Sequence, residues 1–309
     1  GWGTTLALIL NLNAHDVTLW EYKRNYARTL RKTRLNKLYL PGIKIPNEIE
    51  ITNSLEDACS NKHMIVIAIP TQFIRGIIHE LKKKSFSDTI FVSVSKGIEK
   101  DSLMTISKIL QEELSTLNPN NIGVLSGPSH AEEVSRKIPT ALVAAAPDEN
   151  IAKQIQAAFM TSYFRVYSST DVIGVELGGA LKNVIAVGAG IVDGAGFGDN
   201  TTALIMTRGI AEISRLGIHL GAEPLTFSGL SGMGDLIVTC MSKHSRNRYV
   251  GEQIGKGRKL KDVLKSMNMV AEGVETCRSV HQLSDQLNIE TPISSAAYKI
   301  LFEDKDPIK

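Results

Sequence analysis

The sequence predicts two domains of different class: an α/β domain built on a parallel sheet over residues 1–170, then an all-helical domain over residues 171–309. Three observations carry this expectation. Short β-branched runs alternate with amphipathic stretches through the first half, the pattern of right-handed βαβ units. From Asp171 onward nearly every segment reads as helix, with Gly-rich or Pro-containing joints. The length, 309 residues, suits two domains of ordinary size.

In chain order, Thr4 to Asn13 is an apolar helix following the opening glycines, and Val17–Trp20 a strand. Glu48–Thr52 is a shorter strand candidate. Met64–Ile69 is a continuous apolar run ending at Pro70, as expected of a parallel strand covered on both faces. Thr71 is placed to cap a helix over Gln72–Leu81. Strands follow at Thr89–Ser95, Asn121–Ser126, Thr140–Ala146 and Phe164–Ser169. Asp101 is placed to cap Ser102–Leu114, whose Leu103, Ile106, Ile109 and Leu110 share one face. Glu149–Phe159 is a further amphipathic helix. The second half offers Asp171–Val192, with Ser169 or Thr170 near its cap, then Thr201–Leu216, Leu260–Met267, Thr276–Leu287 and Ser294–Phe302.

Composition narrows the function. The chain is 43% apolar and 22% charged, with a net charge of +3, which gives no sign of a nucleic-acid partner. No uninterrupted apolar run reaches the roughly 18 residues of a membrane span; the longest weakly polar stretch is Val184 to Ala195. No secretory signal is evident. Cys59, Cys240 and Cys277 cannot all pair and match no zinc spacing, so reduced thiols in a cytoplasmic protein without a metal centre are expected.

The chain opens Gly1-Trp2-Gly3-Thr4-Thr5 and runs into a helix, with a strand ending at Glu21 about 20 residues later. This is the back end of a dinucleotide fingerprint. Gly3 would allow close helix–strand packing, and the helix N-terminus would face a pyrophosphate. The first strand and the first two glycines of the fingerprint precede this point in a complete motif, so a further N-terminal segment of roughly ten residues is expected. An acid at the end of the second strand favours NAD, and basic residues favour NADP. Glu21, Tyr22, Lys23 and Arg24 offer both, and the choice stays open.

Four further places carry polar groups that suit ligand chemistry. Lys96 follows a strand directly, and the C-terminal ends of parallel strands are where ligands bind in open α/β sheets. Gly127 and Ser129 lie at another strand end. Arg246, between Ser245 and Asn247, has a planar fork able to grip a phosphate, although with Lys243, His244 and Arg248 the segment equally reads as a basic surface turn. Lys182 sits between apolar flanks (Ala180, Leu181; Val184, Ile185), an uncomfortable place for a solvated lysine. Gly178 and Gly179 beside it leave backbone open to a close ligand.

Nine segments in order complete a pattern: GWGT, VTLW, Tyr39–Gly42 (YLPG), Lys96-Gly97 in SVSKGIE, Leu125–Glu133 (LSGPSHAEE), Glu176–Asn183 (ELGGALKN), Gly232–Leu236 (GMGDL), Ser245–Arg248 (SRNR) and Val270–Val274 (VAEGV). Together they resemble the bacterial type of NAD(P)-dependent glycerol-3-phosphate dehydrogenase along essentially the whole chain. One departure is Gly1, where the family often has Ser or Asn. The resemblance implies a Rossmann-type domain followed by a helical substrate domain. It also implies a homodimer, NAD or NADP as cofactor, and interconversion of dihydroxyacetone phosphate and sn-glycerol 3-phosphate for phospholipid synthesis.

The resemblance also assigns residues. Lys182 is the general acid/base, with Lys96 and Asp235 as catalytic partners and Thr239 nearby. The small phosphorylated substrate is bound by Lys96, Gly127, Ser129, Lys182, Asp235, Ser245, Arg246 and Asn247. The cofactor lies against Gly1, Trp2, Gly3, Tyr22, Lys23, Phe73, Lys96, Ala131, Arg246, Val270 and Glu272. A protonated lysine donates to a carbonyl oxygen directly; as a base it needs a lowered pKa, from burial or a neighbouring cation. Two alternatives share parts of this pattern. Hydroxyacid and ketopantoate-type dehydrogenases have the same architecture, but the Ser245–Asn247 segment with Lys96 argues for a phosphate. A nucleotide sensor without turnover would be expected to lose the lysine or that cluster.

Overall fold

The computed structural model describes residues 1–267 and 269–308. The α/β half contains α1 (Trp2–Leu12), β1 (Thr18–Trp20), α2 (Arg24–Thr33), β2 (Glu50–Thr52), α3 (Leu55–Cys59), β3 (Met64–Ile67), α4 (Ile74–Glu80), β4 (Ile90–Ser93), α5 (Ile106–Glu113), β5 (Ile122–Ser126), α6 (Ala131–Val134), β6 (Thr140–Ala145), α7 (Glu149–Phe159) and β7 (Phe164–Ser169). β1 and β2 form a two-stranded parallel sheet, and a second sheet has the order β3-β4-β5-β6-β7. Side chains of β4 alternate between two helical layers, as the period of a strand requires. Val92 packs with Leu6, Ile9 and Phe159 from α1 and α7. Phe91 packs with Ile74, Ile78, Ile109 and Leu110 from α4 and α5.

The sheet departs from a uniformly parallel one at a single pairing. β5 and β6 run antiparallel, Val124 opposite Ala145, and β7 then pairs parallel with β6. The short connection over residues 127–139 holds only the one-turn α6, too little for a parallel crossover, so the chain returns antiparallel.

Two expected caps are differently employed. Thr71 begins a short 3-10 turn, and its hydroxyl donates to Glu272 Oε1 at 2.9 Å. Asp101 caps nothing. It turns with φ 67°, Leu103 follows with φ 57°, and α5 starts only at Ile106. Glu99 fixes this turn by accepting from the Ser102 hydroxyl and from Arg75.

The second half is helical throughout the described residues: α8 (Val172–Gly194), α9 (Asp199–His219), α10 (Asp235–Met241), α11 (Arg246–Gly255), α12 (Leu260–Lys265), α13 (Glu272–Leu287) and α14 (Pro292–Phe302). Neither Ser169 nor Thr170 caps α8; Asp171 does, its Oδ1 accepting from Gly174 N at 2.8 Å. By length and composition α8 would also pass for a membrane span, but 89% of its most apolar window is buried inside the domain. It is the core helix around which the others pack.

Glycines set how closely they approach. A Cβ on Gly190 would lie 2.1 Å from Arg248 O, and one on Gly251 2.0 Å from Val187 O, so α8 and α11 meet backbone to backbone. α10 and α11 are helices that the sequence pattern did not announce. The turn before α10 is wound as a π-helix, with Gly234 N donating to Gly229 O at 3.1 Å. All three cysteines are buried and unpaired.

Candidate active site

The two halves face each other across a cavity of about 440 Å³. On the sheet side its wall is made by the segments that leave β3, β4 and β5 at their C-terminal ends: Ala68–Pro70, Val94–Lys96 and Ser129–Glu132. Gly1, Trp2 and Glu21 extend this wall. On the helical side stand Lys182 and Asn183 of α8, Thr239 of α10, His244–Asn247 at the start of α11, then Val270 and Glu272. Lysines and hydrogen-bonding groups thus converge from both halves.

The centre of the site is a carboxylate between two ammonium groups. Lys182 Nζ lies 3.0 Å from Asp235 Oδ1, and Lys96 Nζ lies 2.6 Å from Asp235 Oδ2. Lys182 Nζ also donates to Thr239 Oγ1 at 2.6 Å, and that hydroxyl donates to Asp235 O at 2.6 Å. Thr239, one turn along α10 from Asp235, therefore orients the lysine. Burial lowers the Lys182 pKa to about 8; Asp235 opposes the shift and the Lys96 charge adds to it. Burial alone would raise the Asp235 carboxyl, but Lys182 and Lys96 outweigh it and hold it below the usual range. Asp235 itself does not line the cavity. It acts from behind the two lysines.

Gly127 and Ser129 are drawn into the same network. Gly127 O accepts from Lys96 Nζ at 2.9 Å and from Ser129 Oγ at 2.8 Å. The Gly127 backbone is thus spent on Lys96 and lies outside the cavity wall, while Ser129 faces the cavity. Gly178 and Gly179 likewise admit protein, not ligand. A Cβ on Gly178 would meet Ser231 O at 2.7 Å, and one on Gly179 would meet Ser126 Oγ at 2.6 Å and the Lys96 side chain at 3.4 Å.

Ser245 caps α11, accepting from Arg248 N at 3.2 Å, which leaves its own proton for a ligand. Arg246 reaches Val270 O at 2.7 Å and lines the cavity. Asn247 is buried and ties the site together. Its Nδ2 donates to Asn183 Oδ1 at 2.8 Å, its Oδ1 accepts from Gly273 N at 3.0 Å, and Asn183 Nδ2 donates to Lys96 O at 2.8 Å. Asn183 was not singled out from the sequence, although its place beside Lys182 was the available signal.

At the other end, Gly1, Trp2, Ala131, Val270 and Glu272 line the cavity, as expected of cofactor residues. Gly3 sits where α1 crosses the sheet, and a Cβ there would lie 3.1 Å from Ala68 Cβ. Tyr22 and Lys23 do not join the wall. Tyr22 is 73% exposed, and the acid before it, Glu21, takes the lining position. Phe73 is 58% exposed and also lies outside the wall. The residues present fit a dinucleotide: the amide end of α1, one carboxylate at the strand end, and glycine where helix meets sheet.

Fold and site together define a class: a two-domain nicotinamide-dependent dehydrogenase in which the helical domain presents a buried lysine to the shared cavity. Comparison with known proteins narrows it. The model of the N-terminal part of the NAD-dependent glycerol-3-phosphate dehydrogenases matches residues 1–152, and that of the C-terminal part matches residues 171–309. A glycerol-3-phosphate dehydrogenase, NAD(P)+, of Chlorobium phaeobacteroides (strain BS1) is 52% identical over 98% of this chain and 91% of its own length. One from Salinibacter ruber is 50% identical over all of this chain and 90% of its own. The crystal structure of glycerol-3-phosphate dehydrogenase from Coxiella burnetii superposes with a TM-score of 0.95 at 33% identity, covering 99% of this chain and 93% of that one. The chain belongs to the NAD-dependent glycerol-3-phosphate dehydrogenase family and is an NAD(P)-dependent oxidoreductase.

Proposed function

We propose that this chain interconverts dihydroxyacetone phosphate and sn-glycerol 3-phosphate, with Lys182 moving the proton. The observation that carries this reading is the buried Lys182–Asp235–Lys96 arrangement opening on the same cavity as Ser245 and Arg246. Bound nicotinamide supplies or accepts the hydride. Gly1, Trp2, Glu21, Ala131, Val270 and Glu272 would hold that cofactor.

The chain's own residues do the rest. The substrate phosphate lies against the Arg246 guanidinium and the Ser245 hydroxyl, the two donors on this wall suited to it. Its C2 oxygen then reaches Lys182. In reduction, protonated Lys182 gives its proton to that oxygen as negative charge develops there, and Lys96 stabilises the same charge. In oxidation, neutral Lys182 takes the alcohol proton, and a pKa of about 8 makes that form accessible near neutrality. Asp235 and Thr239 keep the ammonium aimed at the cavity.

The product would feed phospholipid synthesis in the cytoplasm, and the working form would be a homodimer, as the family resemblance implies. Initial rates with dihydroxyacetone phosphate, using NADH and NADPH in parallel, test the reading. Turnover of a non-phosphorylated hydroxyacid, with none of dihydroxyacetone phosphate, would sink it.

A further inference from the structure

His130 lies between the proton-transfer centre and the phosphate-binding wall, and nothing in the mechanism above uses it. It leaves β5 just after Ser129 and lines the cavity. Its Nε2 is buried and meets no hydrogen-bond partner among the described residues. The ring packs against that of His244 across the cleft, centroids 5.8 Å apart at 54°. His244 directly precedes Ser245 and Arg246. A buried ring nitrogen left without a partner carries an uncompensated desolvation cost. His130 lines the substrate cavity, so a rotation of the ring on substrate binding would bring this nitrogen to a ligand atom.

We propose that His130 is a further substrate-binding residue whose Nε2–H donates to a phosphate oxygen of the substrate. This rests on the phosphorylated-substrate reading above. A ligand reaching from Lys182 to Ser245 and Arg246 passes the imidazole, and a phosphate dianion offers more acceptor positions than those two residues can fill. Burial, and then the nearby Lys182 charge, lower the His130 pKa and so favour the neutral ring. A neutral imidazole protonated on Nε2 is a donor needing no proton uptake, and the anion selects that tautomer. Ser129 and Ala131, on either side in sequence, face the same cavity.

His130→Phe keeps an aromatic of similar width and removes the donor. His130→Gln keeps a neutral N–H at a similar reach. The expected result for His130→Phe is a KM for dihydroxyacetone phosphate raised about tenfold, the scale of one buried hydrogen bond to a charged group. The KM for the nicotinamide cofactor stays within about twofold, and His130→Gln recovers most of the loss. An unchanged substrate KM in His130→Phe overturns the proposal. So does an equal loss in both variants, which would mean packing, or a fall in kcat at constant KM. Calorimetric titration of wild type and His130→Phe with inorganic phosphate reads the same contact without turnover. Weaker phosphate binding in His130→Phe supports the contact even if dihydroxyacetone phosphate proves not to be the substrate. Equal phosphate binding removes it even if dihydroxyacetone phosphate is reduced.

Discussion

At the scale of single residues, the site is governed by how Lys182 shares one carboxylate with Lys96. A lysine at its ordinary pKa is an acid at neutral pH and nothing else. Lowered to about 8, Lys182 in its proposed role would serve both directions, and the sign of the pH dependence follows. Below pH 8 it is protonated, so carbonyl reduction runs at its plateau and alcohol oxidation falls. Above pH 8 the order reverses. The kcat/KM profiles for the two directions should therefore bend in opposite senses near pH 8, and Lys182→Met should remove both the bend and most of the activity, on the order of 10²–10⁴-fold. Lys96→Met deletes a like charge and leaves Asp235 to Lys182 alone, so the bend should move to higher pH. A bend that stays in place would show that Lys96 does not tune the base.

Arg246 offers a different test at the same scale. Its guanidinium reaches the cavity while held by Val270 O. Arg246→Ala should raise the KM for the phosphorylated substrate by roughly tenfold to a hundredfold, from the loss of a charge-assisted hydrogen bond of about 1.5–3 kcal/mol. A substrate KM unchanged in steady-state kinetics would count against the phosphate role.

At the scale of elements, the seam between α8 and α11 sets the site. α8 carries Lys182 and Asn183, while α11 begins with Arg246 and Asn247. Their separation is fixed where Gly190 and Gly251 let the two backbones touch. Gly190→Ala places a methyl against Arg248 O, and neither helix can yield without moving a functional end. Overpacking of this kind costs about 1–3 kcal/mol. The variant should melt at lower temperature and bind the phosphorylated substrate more weakly. A melting temperature equal to that of wild type would contradict the close contact.

This seam also marks how far the sequence could be read. The βαβ alternation and the switch to helix at Asp171 were legible because each depends on local period and composition. Lys96 and Lys182 were legible for the same reason, one by following a strand and one by its apolar flanks. Thr71 was misread as a cap because its true partner, Glu272, lies 201 residues away. The roles of Asn183, His130 and Gly190 depend on which distant surface each meets, which no local pattern states. α10 and α11 went unseen because glycine and polar residues at their starts look like loop until Asp235 and Ser245 are paired with their helices.

At the scale of the whole molecule, the two halves are joined by buried and part-buried hydrogen bonds instead of a loose hinge. Glu272, the first residue of α13, accepts from Thr71 N at 2.8 Å, Thr71 Oγ1 at 2.9 Å and Lys96 N at 3.2 Å. Glu176 of α8 accepts from Ser107 N at 2.9 Å and Ser107 Oγ at 2.6 Å. Ser279 Oγ donates to Ile98 O at 3.2 Å, and Asn183 holds Lys96 O. Separately folding domains usually show looser, more polar contacts and can unfold in stages. Here opening the cleft strands backbone donors of the α/β half and the carboxylates that receive them. Calorimetry should therefore record one cooperative transition, and two resolved transitions in wild type would refute the coupling. Glu272→Ala leaves Thr71 N and Lys96 N without their acceptor, a loss of about 1–3 kcal/mol for each buried group left unsatisfied. That variant should melt several degrees lower, at roughly 2–4 °C per kcal/mol for a large domain. Its cofactor KM should rise as well, because Glu272 lines the proposed cofactor end of the cavity and bonds across the two halves.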